Sequence, residues 1–593
     1  MKIRPAAPRL KPALLALALL PAMIACAGKE DGDGTARADS STNTAVTTPV
    51  EPQWSLSGAL LAGRFAFAQG DDAMAAKLLG IAREAAPGDQ VLATRTLAAM
   101  INAGQFKDAV KLAAEIKAQG AKTPFIALVE LVDRVEAGDY KAAKAAIDSL
   151  SDDGIGRVTK PFLGAWVELG RTGQLEPATD ALKPLSEFNG LGAVVTQHTA
   201  LMEDQLGRSP AALERMKGAA DAGAGSARFV ELYVEFLHRA GKAKEAAAFL
   251  DAFRSSNSGV AGAIADPLAD RLSRPAQQGP IVATPAEGLA EAMFDLGSIL
   301  QSENAEDQAK LFARLALELD PKLDIARLLL GNMMQQAERY EDAVAMYRSI
   351  PKESIYRWSA EISVADCQQK LEDVDGAIAT LKDLVQSRPQ RREAIVELGD
   401  LYRREKRFAE AVGAYDQVIG GIKDAKPDDW SLFYARGVAH ERNKQWDKAE
   451  PDFKKALELS PDQPYVLNYL AYTWVERREN LDQALKMLNS AVEQRPEEGF
   501  IVDSLGWAYF QLGDFEKAVT YLERAVELQP TDPVLNDHLG DAYWRVGRKN
   551  EARFQWHRSL SFKPEADQVG LIEEKLKSGL DAAKPEATAP SGG

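Results

Sequence analysis

Cysteine is nearly absent from this chain. Cys26 and Cys367 are the only two in 593 residues, too few for the disulfide framework on which small secreted domains rely. No run of twenty apolar residues occurs, so the sequence offers no helix long enough to span a bilayer. Basic residues are in the minority, with Lys+Arg at 71 against Asp+Glu at 87 and a formal net charge of −16. That sign is wrong for a nucleic-acid backbone, which calls for a basic footprint. Histidines are few and scattered: His198, His238, His440, His538 and His557. His440-Glu441 opens like a zincin motif, but Lys444 stands where the second His must be. There is no GxSxG elbow, P-loop or CxxC, and Gly154-x-Gly156 is too short for a dinucleotide loop. The expectation is a chain without catalytic residues, metal or cofactor. What is present is 46% hydrophobic and 27% charged residues, a composition too apolar for a disordered chain.

The first residues read as an address. Lys2, Arg4, Arg9 and Lys11 precede an apolar stretch from Ala13 to Ala27, whose length of roughly 22 Å as a helix falls short of a bilayer core. A basic start, a short apolar stretch and small residues make a secretory signal over 1–25. Its exit, Met23-Ile24-Ala25-Cys26, resembles the lipobox of bacterial lipoproteins. That resemblance implies cleavage before Cys26 and a lipid on that residue. The competing site is Ala25-Cys26-Ala27, cut before Gly28 to release a soluble periplasmic protein. Residues 26–53 are rich in Gly, Asp, Ser and Thr and lack an apolar period, so they read as a flexible tether.

The body of the chain follows a ruler. Gly70, Gly104, Gly138, Gly173, Gly207 and Gly241 are spaced 34, 34, 35, 34 and 34 residues apart, and an alanine stands five residues after each. The alanine column resumes at Ala309, Ala343, Ala377, Ala411, Ala449, Ala484, Ala518 and Ala552. Twelve residues before these alanines, Gly297, Gly331, Gly399, Gly437, Gly506 and Gly540 provide for close helix approach, and twelve residues after them prolines recur, as at Pro461 and Pro530. Apolar residues between the turns keep helical spacing, as in Val502, Leu505, Gly506 and Tyr509. Each unit therefore reads as two antiparallel helices, which bury both apolar faces only by stacking on their neighbours. Cys367 falls inside such a unit as a small buried side chain.

Leu505-Gly506, Tyr509, Gly513, Ala518, Ala525 and Pro530 resemble the tetratricopeptide repeat (TPR) pattern. The resemblance implies an all-α superhelical solenoid of about 14 helix-turn-helix units, with first helices lining a groove. Ser255 to Gly288 interrupts the ruler with Arg-Pro, Gly-Pro and Thr-Pro steps. The expected organisation is a divergent arm over 54–254, an irregular linker over 255–288 and a second arm over 289–564. A capping helix carrying Val569, Ile572 and Leu576 follows over 565–580, then a disordered tail over 581–593.

A basic run, Arg388, Arg391, Arg392, Arg403, Arg404, Lys406 and Arg407, is interleaved with Glu393, Glu397, Asp400 and Glu405 and reads as a solvated, paired face. The Lys/Asn clamp with which some TPR proteins grip a terminal carboxylate is not carried over, since Val396/Asp400 and Leu328/Asn332 occupy those positions. The candidate binding surface is aromatic. Phe500, Asp503, Trp507 and Phe510 fall within an arc of about 80° on a helical wheel, roughly 130° from the core set. Tyr465, Asn468 and Tyr472 precede them in register, and Asp537, Asp541 and Trp544 follow. Apolar anchors with a few orienting polar groups suit a protein or peptide partner.

With an N-terminal lipid, this plan resembles the large outer-membrane TPR lipoproteins of Gram-negative bacteria. Among these are adaptors of a periplasmic carboxyl-terminal processing protease and its substrates. The resemblance implies a non-catalytic scaffold at the periplasmic face of the outer membrane; the alternative is an assembly or export factor for an envelope polymer machine or outer-membrane component.

Overall fold

A computed structural model of the chain describes residues 54–256 and 264–580. Cys26, the signal and tether over 1–53 and the tail over 581–593 lie outside the described residues. The described residues from Ser55 onward belong to one compact unit by their internal contacts. Among the described residues there are 30 α-helices and no strand, and no helix is long and apolar enough to cross a membrane.

The unit that matches the repeat pattern best shows how the residues produce the fold. Gly499–Gln511 and Phe515–Leu528 are its two helices. Gly513 between them has φ +85°, and the Asp514 carboxylate accepts from the Lys517 N–H to cap the second helix. Val502, Leu505 and Gly506 are buried on the first helix and Ala518, Leu522 and Ala525 on the second, so the two apolar stripes meet.

The left-handed turn is common to nearly all units. In the early ones glycine supplies it, as at Gly104 with φ +73°, where an added Cβ would meet no neighbour and only the backbone preference is at stake. The later units hold the corresponding position with Asn304, Glu338, Glu372, Lys406 and Lys444 at φ between 56° and 61°. Each such residue carries a conformational cost of roughly 1–2 kcal/mol, offset by the packing of the helices it joins.

A second column sets helix spacing. Glycine on a first helix faces a large side chain sixteen residues later on the second: Gly331 with Tyr347, Gly399 with Tyr415, Gly437 with Phe453, Gly506 with Leu522 and Gly540 with Trp556. A Cβ at Gly331 would lie 2.4 Å from the Tyr347 ring, so the column exists to admit those side chains. Tyr347 and Tyr415 then donate their hydroxyls to Asn332 (2.7 Å) and Asp400 (2.6 Å).

The two arms share one core. The largest hydrophobic cluster runs from Ala93 to Cys367 and includes Ile264, Ala265, Leu268 and Val282 of the irregular stretch, which contributes the short helix Ala265–Leu272. Helix Pro285–Ser302 packs against Gly156–Thr172 and Gly192–Gln205, and Glu306–Leu319 packs against Gln90–Asn102 and Pro124–Glu136. These four partners are all first helices of early units, so second-half helices cover that face. Polar contacts fix the crossing. Gln197 Nε2 donates to Asp295 Oδ2 at 3.0 Å, His198 Nε2 meets the same oxygen at 3.1 Å, and Trp166 Nε1 donates to His198 Nδ1 at 3.0 Å. Asp72, at the start of the second helix, pairs with Lys310 and lies 3.6 Å from Arg339.

Cys367 is fully buried in this core, and burial pushes its thiol up to about 11, so it carries no thiolate at neutral pH. The basic run is paired largely with acids from distant segments: Arg388 with Asp270 (2.9 Å), Arg391 with Asp266 (3.2 Å), Arg392 with Asp429 (3.3 Å) and Lys406 with Glu565 (2.9 Å). Arg391 is buried, with its guanidinium 4.3 Å from the Trp358 ring centroid. At the far end, helix Ala566–Ser578 buries Ile572 against the last unit.

Candidate protein-binding surface

The first helices of the last three units are Pro464–Arg477, Gly499–Gln511 and Pro533–Arg545. Local chemistry fixes where they begin. Pro464 and Pro533 occupy first-turn positions that need no N–H, while the Gln463 and Asp532 side chains accept the orphan N–H groups of Tyr465 and of Val534 and Leu535. Successive units thus start in register, and residues about 34 apart become neighbours.

The ten residues expected to line the groove divide into two sets. Tyr465, Phe500, Trp507, Phe510 and Trp544 are half-buried, each offering part of a ring to solvent. Asn468, Tyr472, Asp503, Asp537 and Asp541 are buried. Tyr465 and Phe500 pack at the edge of one apolar cluster and Phe510 and Trp544 at the edge of another, and the neighbouring unit covers part of this face. The buried five therefore support the surface and are not contact groups.

Tyr465 and Phe500 lie nearly parallel, centroids 6.2 Å apart and 13° between planes. Trp507 is stacked between Phe510 (4.7 Å, 8°) and His538 of the next unit (4.0 Å, 13°), and its indole N–H donates to Glu476 of the preceding unit. Trp544 packs on Trp556 (5.4 Å) with the Lys549 ammonium 3.6 Å from its ring centroid, and Gly579 closes against it. The accessible aromatic surface is thus the Tyr465–Phe500 pair and the Trp507–Phe510 pair.

Buried carboxylates brace the Trp507 end of this surface and the capping helix beyond it. His538 Nδ1 lies 2.9 Å from Asp503 Oδ2. Lys575 Nζ, from the capping helix, donates to Asp537 Oδ2 at 2.7 Å and to Asp541 Oδ2 at 2.8 Å. Trp556 Nε1 donates to the other Asp541 oxygen at 2.9 Å. Burial raises the Asp541 carboxyl to about 6 even though Lys575 opposes the shift. Burial also raises Glu476, which the Trp507 N–H partly counters, and raises Tyr472 well above the usual phenol range. His538, Glu476 and Lys575 have no signature in the sequence. Their roles emerge from offsets of 35, 31 and 34 to 38 residues to their partners, and a search for complementary side chains one unit apart would have found them.

His538 makes this surface pH-sensitive. Burial by itself would pull its imidazolium down, but Asp503, Asp537 and Asp541 outweigh that and raise it from 6.5 to about 8. A raised cationic group stabilises the fold fully below its unfolded value, and that contribution is lost as pH climbs through the folded value. Stability of the C-terminal units should therefore fall by roughly 1–2 kcal/mol between pH 6.5 and 8.5. Thermal melts across that range check it: His538→Gln should flatten the slope, and an equal slope in that variant would assign it elsewhere.

Sequence profiles described as TPR or tetratricopeptide repeat match residues 290–323, 365–429, 430–463 and 506–547. The TPR repeat-containing protein PA4667 of Pseudomonas aeruginosa is 28% identical over 105 residues, covering 18% of this chain and 18% of that protein. The BBSome complex member BBS4 of Bos taurus is 33% identical over 91 residues, covering 15% and 17%. The chain thus matches less than a fifth of the length of either relative. The Cut9-Hcn1 hetero-tetramer of APC/C is similar at 14% identity over 88% of this chain and 96% of that one, with a TM-score of 0.36.

Proposed function

We propose, taking as premise that this chain is a tetratricopeptide-repeat protein, that it is a non-catalytic scaffold whose last three units hold an extended segment of a partner protein. Repeats of this kind generally bind proteins or peptides. The observation that carries the reading is the half-buried stacking of Tyr465 with Phe500 across two consecutive first helices and of Trp507 with Phe510 along the second of them. Stacked rings, with Trp507 held by Glu476 and by His538 on Asp503, form rigid apolar anchors, which lose little side-chain freedom when a partner docks. The corresponding face of several early units is covered by the chain's own helices, and this directs a partner toward the C-terminal end.

In the fuller form of the proposal, Cys26 carries a lipid and the scaffold sits at the periplasmic face of the outer membrane. There it brings a processing protease together with its substrates, and tethering raises their effective concentration. Affinity capture from envelope extracts tests both levels. A protease recovered with substrates supports the adaptor, whereas barrel or polysaccharide-export subunits would replace it with an assembly role. Fatty-acid labelling lost in Cys26→Ser tests the anchor.

For any partner so captured, Phe500→Ala is expected to weaken binding by about 2 kcal/mol, roughly thirtyfold. An unchanged affinity with an unchanged melting curve would eliminate the aromatic strip as the binding surface. Phe500 is the cleaner probe, because truncating Trp507 also removes a stacking partner of His538.

A further inference from the structure

A cavity of about 500 Å³ opens where helix Ala227–Arg239, the end of the irregular stretch and the Asp320–Asp324 and Ser354–Tyr356 turns converge. It shares no residue with the aromatic strip. Arg228, Glu231, Leu232 and Glu235 reach it from one face of the helix, at the i, i+3, i+4 and i+7 positions.

The charges inside do not balance. Five carboxylates against three cations line the cavity. Arg228, the buried cation, is fully committed: its Nε and Nη2 donate to Glu291 and its Nη1 to Glu231. Glu231 also accepts the Tyr356 hydroxyl. Glu235 has no such partner. Its residue is 5% exposed, and Oε1 is buried without a hydrogen-bond donor. The nearest cation, Arg271, approaches Glu235 Oε2 only to 3.7 Å and Glu231 Oε1 to 3.8 Å, beyond hydrogen-bond reach, with its side chain 40% exposed. A buried carboxylate oxygen without a donor is costly and calls for one. Leu232, Leu323 and Ile355 supply an apolar wall beside it, and exposed Gln277 and Lys322 mark a solvent-facing rim.

We propose that this cavity binds a single organic cation, a guanidinium or alkylammonium head on an aliphatic stem. The head donates to Glu235 and displaces the loosely held Arg271, while the stem lies along Leu232, Leu323 and Ile355. The cation can come from an Arg or Lys side chain of a polypeptide or from a free small molecule, and the two sources share this recognition chemistry.

Isothermal titration of the full chain tests the site with N-acetyl-arginine amide and its uncharged counterpart, N-acetyl-citrulline amide. The arginine derivative should bind and the citrulline derivative should not. Glu235→Gln should weaken binding by about tenfold or more, the scale of a lost charged hydrogen bond. Arg271→Ala, by removing the internal competitor, should strengthen it severalfold. Opposite effects of these two variants cannot come from general loosening of the fold. A blocked Gly-Gly-Arg-Gly-Gly peptide that binds markedly tighter than the single residue supports a polypeptide source, and equal affinities support a free cation. Equal binding of arginine and citrulline derivatives, wild-type affinity in Glu235→Gln, or no gain in Arg271→Ala would each overturn the proposal.

Discussion

Lys575→Met should destabilise the C-terminal end of the solenoid by about 3–5 kcal/mol, the usual result of removing one member of a buried ion pair. The Lys575 side chain is 12% exposed and its ammonium sits between Asp537 and Asp541. Burial by itself would lower its pKa, but the two carboxylates outweigh that and hold it above the usual lysine range. Without it, two carboxylates face each other in a site where Asp541 is already raised to about 6 by burial. One of them must then take up a proton near neutral pH or the helix must leave. Repeat proteins couple mainly to nearest neighbours, so the loss should appear as an early partial transition and as faster amide exchange in Ala566–Ser578 and Pro533–Arg545. The double variant Lys575→Met/Asp541→Asn keeps an acceptor for the Trp556 N–H and removes one excess charge. It should recover part of the loss. A Lys575→Met protein melting within about 1 kcal/mol of the parent would show that the ion pair is solvent-screened and not structural.

This ion pair also bears on what could be read from the sequence. Turns marked by glycine were legible because only one residue type adopts the left-handed backbone freely, and the alanine column was legible because close-packed helices demand a small side chain. The same turn conformation at Asn304, Glu338 and Lys444 carries no such mark; packing imposes it against local preference. A helical wheel placed Phe500, Asp503, Trp507 and Phe510 on one face, yet a wheel knows nothing of the adjacent unit, which buries Asp503 beneath His538. Contacts such as Asp72 with Lys310, 238 residues apart, depend on how the stacked units curve, and that accumulates from small rotations no single unit specifies. The irregular stretch shows the same limit: its Pro and Gly steps mark a break in the ruler, but not that Ile264, Leu268 and Val282 enter the shared core.

The glycine column admits its largest side chain at the last full unit. Trp556 is fully buried, fills the space that Gly540 leaves open, and donates its N–H to Asp541. Trp556→Ala should cost about 3–5 kcal/mol, from lost burial and the cavity left behind, with the Asp541 oxygen left unpartnered. Gly540→Ala attacks the same contact from the other side. Its methyl would stand 2.5 Å from the indole, and overpacking of this kind costs about 1–3 kcal/mol. If the two residues form one fitted pair, the changes should not add. In Gly540→Ala/Trp556→Ala the indole that the methyl would meet is gone, so the methyl enters space the side chain has vacated. The double variant should therefore be more stable than the sum of its single variants predicts, by about 1 kcal/mol. Additive losses in urea unfolding would mean that Gly540 is retained for its backbone and not to admit the indole.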